Sequence, residues 1–157
     1  MSDTNISILT AEWERAKAGA QEFIEAMPDE SLGFRPVPDI LSFAGQFVHI
    51  AYANYLFASP TFGAENPLKD TNPEQDPTLQ SSKPALLEFV NASYDFILKG
   101  IATQTPESLA EEVELFRWKL PRHLILAKAL EHHAHHRGQT VIYFRLQGFK
   151  PPSEHLF

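Results

Sequence analysis

The sequence predicts an all-α four-helix bundle formed by a single domain, residues 1–157. Three observations carry that prediction. Four long segments repeat apolar residues at three- and four-residue spacing. One connection, residues 59–81, is long and rich in Pro, Asn, Thr and Asp. No alternating run is strong enough to build a sheet.

The first helix is predicted from Thr10 to about Met27, with Thr10 as N-cap and Trp13, Ala16, Ala20, Phe23, Ile24 and Met27 on one stripe. Pro28, Gly33, Pro36 and Pro38 punctuate the connection that follows. The second helix starts near Asp39 or Ser42 and runs to Phe57, with His49 as the one ionisable residue in its middle. Between Ser59 and Ser81, Pro60, Pro67, Pro73 and Pro77 block any long helix. A connection of that length in a compact domain is more often functional than idle, and its place after the His49 helix raises the question of a lid. The third helix is predicted from Ser82 to about Gly100, capped by Ser81 or Ser82 with Pro84 in its first turn. Thr105-Pro106-Glu107-Ser108 reads as a short helix start, and residues 113–120 alternate weakly enough to be either extended or irregular. The last helix runs from about Pro121 to Gln147 with Gly148 as its stop, roughly 40 Å long.

Composition narrows the function classes. Hydrophobic residues at 43% and charged residues at 21% are ordinary for a soluble globular protein. With no cysteine, disulfides, thiolate ligands and a cysteine nucleophile are excluded, so a metal site would use nitrogen and oxygen donors. A formal charge of −7 opposes nucleic-acid binding. No apolar run reaches the ~20 residues of a membrane span, and the first residues do not read as a signal peptide, so the expected location is cytoplasmic.

Five of the seven histidines lie between His123 and His136. On a helix, His132 and His136 are four residues apart and therefore share a face. A metal needs at least a third ligand, and His49 on a facing helix is the natural one. Taken singly, His49 is more often a hydrogen-bonded core residue, and an i,i+4 pair also occurs on wet surfaces. Together, with no cysteine or carboxylate competing, the three point to a divalent ion, Zn²⁺ or Ni²⁺, with an open position for water, a thiolate or a substrate oxygen. His133 and His135 face elsewhere, towards an interface, the ligands' outer nitrogens or solvent. His123 lies outside the pair's geometry, and His155 is not expected to fold back as a fourth ligand. Glu131 turns away from His132, and no general base can be named. Arg137 and Arg145 are expected to pair with acidic groups on neighbouring helices, with an anionic ligand as the alternative. Gly138 would let a helix approach closely, and Gln139 would bond to backbone.

The order Phe34-Arg35-Pro36, then Ser42-Phe43-Ala44-Gly45-Gln46-Phe47-Val48-His49, then His132-x-x-x-His136-Arg137-Gly138-Gln139, then Tyr143 to Pro152 resembles the DinB/YfiT-like superfamily. The resemblance spans most of the chain, and the His-Arg-Gly-Gln step is its most specific part. It implies an up-down-down-up bundle, frequently a homodimer, with a metal held by His49, His132 and His136. Members of that superfamily include thiol-dependent S-transferases, a thiol-dependent isomerase and proteins suspected of hydrolysis. The expected function is therefore divalent-metal-dependent, thiol-dependent transfer or hydrolysis on a small molecule. A charged thiol would need basic residues nearby, for which Arg122, Arg137 and Arg145 are the candidates. The alternative is a non-catalytic, metal-binding, stress-related dimer acting as an interaction module.

Overall fold

The protein is described from residue 3 to residue 154 by a computed structural model. Its elements are α1 (Asp3–Ala26), α2 (Phe43–Phe62), α3 (Pro77–Ser81), α4 (Lys83–Ala102), α5 (Pro106–Ala110), β1 (Glu112–Leu115), β2 (Trp118–Pro121) and α6 (Arg122–Leu146). Single 3-10 turns at Asp29–Ser31 and Pro73–Gln75 interrupt the connections. The fold is mostly helical: α2 packs against both α4 and α6, and α1 packs mainly against α4.

The core lies between the four long helices. Trp13, Phe43, Phe47, Tyr94 and Phe144 are completely or almost completely buried. The Phe144 ring stands edge-on to Phe43 (5.5 Å, 89°) and to Phe23 (5.8 Å, 86°), the arrangement that aromatic quadrupoles favour. Each such side chain contributes roughly 1.5–3 kcal/mol by leaving water. At Gly100 on α4, a Cβ would collide with the Phe62 ring of α2, so this glycine lets the two helices close.

Several boundaries differ from the sequence reading. α1 begins at Asp3, so Thr10 is an interior residue and not an N-cap. Ile6 and Leu9 pack against the core and extend the Trp13 stripe backwards by two turns. α2 continues through Pro60 to Phe62, ending on Gly63 in the left-handed region (φ 63°). Pro60 lies within the last turn of the helix. The Thr105 cap is a full capping box with Ser108. The weakly alternating run near 113–120 is an antiparallel hairpin, pairing Glu112 with Pro121 and Leu115 with Trp118. A small sheet therefore exists where none was expected. Its strands are four residues each, too short for alternation to stand out, and its turn places Phe116 at φ 55°. No helix among the described residues is long and apolar enough to cross a membrane.

Candidate metal centre

The start of α2 sets the position of His49. Ser42 caps the helix by accepting from Gly45 N at 3.0 Å, and its hydroxyl also donates to Gln80 Oε1 at 2.8 Å. That second bond ties α2 to α3 and to the connection that precedes it. Two turns further on, His49 faces α6. There, one turn of helix separates His132 from His136, and their rings are 4.5 Å apart.

The three imidazoles converge. One nitrogen from each of His49, His132 and His136 lies within 4.8 Å of the others, and all three residues are half-buried. His49 Nε2 is 3.3 Å from His132 Nε2. Two nitrogen ligands of one tetrahedral ion, each at about 2.1 Å, would be about 3.4 Å apart, so the donor set fits a divalent metal.

The outer nitrogens decide which lone pairs face inward. His49 Nδ1 donates to Glu74 Oε1 at 2.5 Å, and His136 Nδ1 donates to Gln46 Oε1 at 2.7 Å. Each bond leaves the Nε2 lone pair of its ring free for a ligand. Gln46 is buried, and its amide cannot flip without breaking the network. Its Nε2 donates to Gln139 Oε1 (3.0 Å) and to Tyr143 Oη (2.9 Å), whose own hydroxyl donates to Leu41 O. Gln139 in turn donates to His135 Nε2 at 3.0 Å. Gln139 thus belongs to a side-chain network and not to the backbone pairing expected of it.

Burial sets the protonation states. Desolvation, followed by repulsion from His49 and the other imidazoles, lowers the His136 pKa to about 4; the same causes lower that of His132. Both rings are neutral at neutral pH, the form that a metal needs. The Phe57 ring stands against His132 at 5.8 Å and closes one side of the centre.

The remaining histidines are elsewhere. His133 is 2% exposed, and the Tyr94 hydroxyl bonds its ring, 2.8 Å from Nε2 and 3.0 Å from Nδ1. Burial lowers its pKa to about 3. His135 is exposed, and His123 Nδ1 donates to Leu109 O at 2.9 Å. His155 lies outside the described residues.

Glu74 is the residue that sequence reasoning missed. It comes from the 59–81 connection, on the 3-10 turn Pro73–Gln75, where Asn72 Oδ1 accepts from its backbone N. The connection therefore reaches the centre. No periodic pattern runs through it, so nothing in the sequence said which of its side chains would face His49. Glu131 does turn away and is exposed, paired with Lys128.

The arginines also depart from expectation. Arg122 is taken up structurally: it bonds Thr61 O, Ser108 O and the Glu111 carboxylate. Arg137 and Arg145 form no ion pair among the described residues. No helix closes on Gly138, where a Cβ would meet nothing within 4 Å.

Comparison with known proteins agrees with the fold. A DinB-like protein from Bacillus cereus ATCC 10987 superposes with a TM-score of 0.78 at 20% identity, covering 94% of this chain and 95% of that one. A DinB-like protein from Bacillus subtilis gives 0.72 at 21% identity, over 92% and 96% of the two chains. A conserved protein from Enterococcus faecalis gives 0.71 at 20% identity, over 93% and 97%. No curated protein matches the chain. The sequence model described as "DinB family" matches residues 1–156, nearly the whole length, and the chain belongs to that family.

Proposed function

We propose that this protein is a divalent-metal-dependent enzyme whose ion, Zn²⁺ or Ni²⁺, is held by His49, His132 and His136, and which carries out thiol-dependent transfer or hydrolysis on a small molecule. The observation that carries this reading is the convergence of three half-buried imidazoles, two of which have their outer nitrogens fixed by Glu74 and Gln46. An ion bound there would supply a Lewis-acid position able to activate a water or a thiol.

The chain's own residues do the rest. Glu74 holds the His49 ring and places a negative charge behind it, which makes the facing nitrogen a better donor. Gln46 does the same for His136 without adding charge. Phe57 keeps water from one flank of His132. Glu74 is about one-third exposed, so the carboxylate keeps contact with solvent while bonded to His49.

In this reading the four long helices form a single-domain bundle in up-down-down-up order, working as a homodimer in the cytoplasm without nucleic acid or membrane. The long helices α1, α2, α4 and α6 support the bundle, and the acidic balance opposes nucleic acid.

A second reading, a non-catalytic metal-binding interaction module, draws on one feature. Phe116 and Trp118 on the hairpin are 74% and 57% exposed, and Ile142 and Leu146 on α6 are 53% and 59% exposed. Exposed aromatic and aliphatic side chains of this kind suit a protein partner.

Assaying metal-loaded protein separates the two. An electrophilic aryl halide with a low-molecular-weight thiol tests transfer, and p-nitrophenyl acetate tests hydrolysis. The enzyme reading expects turnover in one assay, lost on chelation and in His49→Ala. Loaded protein that matches the blank in both assays would hand the lead to the interaction module.

A further inference from the structure

A cavity of the molecule lies away from the histidines. It is a groove of about 620 Å³ between the outer face of α6, Phe23 of α1 and the segment 150–154. Its polar rim is basic: Arg137 and Arg145 of α6 and Lys150 all line it, with Glu154 at one end. None of the three cations forms an ion pair among the described residues, although acidic residues outnumber basic ones by 20 to 13. A chain with such an acidic surplus would readily pair them if their purpose were structural.

Arg137 is held in place without a carboxylate. Its guanidinium lies over the Phe23 ring, 5.8 Å from the centroid, and passes through the space that Gly19 leaves on α1. Any side chain at Gly19 would collide with the guanidinium. The group is thus half-buried and oriented, with no ion-pair partner for its guanidinium among the described residues. The rest of the groove is apolar, with Phe23, Val141, Pro151 and Pro152, and its floor is left open at Gly138. Concave volume, apolar walls and a few convergent charges are what a small-molecule site requires.

The geometry points to a binding site in this groove for a small organic anion, a carboxylate or phosphate monoester on an apolar body, separate from the histidine centre. Arg137 and Arg145 take the anion, as planar guanidinium forks suit both carboxylate and phosphate. Phe23, Val141 and the two prolines take the apolar body. Lys150 adds a third positive charge to the lining.

The test is calorimetric titration of the full-length, metal-stripped protein at constant ionic strength with phenyl phosphate, phenylacetate and inorganic phosphate. At least one aromatic anion is expected to bind with Kd below about 1 mM. Inorganic phosphate should bind at least tenfold more weakly, because it lacks the apolar body. Which aromatic anion binds tells phosphate from carboxylate ligands, and either supports the site. Arg145→Gln, at an exposed position that should fold normally, and Arg137→Gln should each weaken binding by about tenfold or more. Gly138→Leu, which fills the floor and favours the helix, should do so without touching a charge. Metal uptake should be unchanged in Arg145→Gln. Equal affinity in wild type and in the Arg137→Gln/Arg145→Gln double variant would overturn the site. So would binding lost in His132→Ala but kept in both arginine variants, or no binding of any probe at about 10 mM.

Discussion

At the scale of single residues, the centre depends on which nitrogen of each ring is occupied. Glu74 and Gln46 hold Nδ1 of His49 and of His136, and so the Nε2 lone pairs face inward. Replacing Glu74 with Gln keeps the size and removes the charge. Metal affinity should fall about tenfold to a hundredfold, the usual cost of losing a partner behind a ligating imidazole, and metal-buffer titration would measure it. Unchanged affinity would mean that the Glu74 contact does not support the ligand. The three histidines themselves were legible, because i,i+4 spacing on a helix fixes a shared face and His49 is the lone histidine in a helix without Asp, Glu, Lys or Arg. Glu74 was not, because it arrives from an aperiodic connection. Gln46 sits three residues before His49 and was visible only as a polar residue, since nothing local told that it would bridge to α6.

At the scale of the elements, apolar periodicity located all four long helices, and capping chemistry located the start of α4 and α5. The misreadings have local causes. Thr10 is a good cap in isolation, but Ile6 and Leu9 continue the buried stripe, and packing outweighs the cap signal. Pro60 suggested an earlier end to α2, yet the helix continues through it to Phe62. The hairpin was only half visible, because four-residue strands carry two side chains per face. Packing between α2 and α4 offers a direct check. In Gly100→Ala the new methyl meets the Phe62 ring, so stability should drop by about 1–3 kcal/mol, read from denaturant midpoints. A gain in stability, as helix propensity alone would give, would show that the two helices are not in close contact there.

At the scale of the whole molecule, the buried imidazoles link folding to pH. Burial lowers the His133 pKa to about 3, against about 6.5 for an ordinary exposed imidazole. Above pH 6.5 both folded and unfolded chains hold it neutral, and its contribution is complete. As pH falls towards 3 the unfolded chain takes up a proton that the folded chain refuses, so stability declines across that window. His132 and His136 of the metal-free protein act in the same direction. In metal-free protein, His133→Gln should flatten the stability profile between pH 6.5 and 3 by up to about 1.4 kcal/mol per pH unit. Profiles that run parallel would mean that His133 is not held neutral by the fold.

The central claim, that His49, His132 and His136 form one metal centre, is tested most directly by elemental analysis of untagged protein. Wild type, His49→Ala, His136→Ala and His135→Ala would be purified side by side. Roughly one Zn or Ni per chain is expected in wild type and in His135→Ala, with both ligand variants empty. Wild-type protein that holds no metal and cannot be loaded, or equal loss in His135→Ala and His136→Ala, would contradict it.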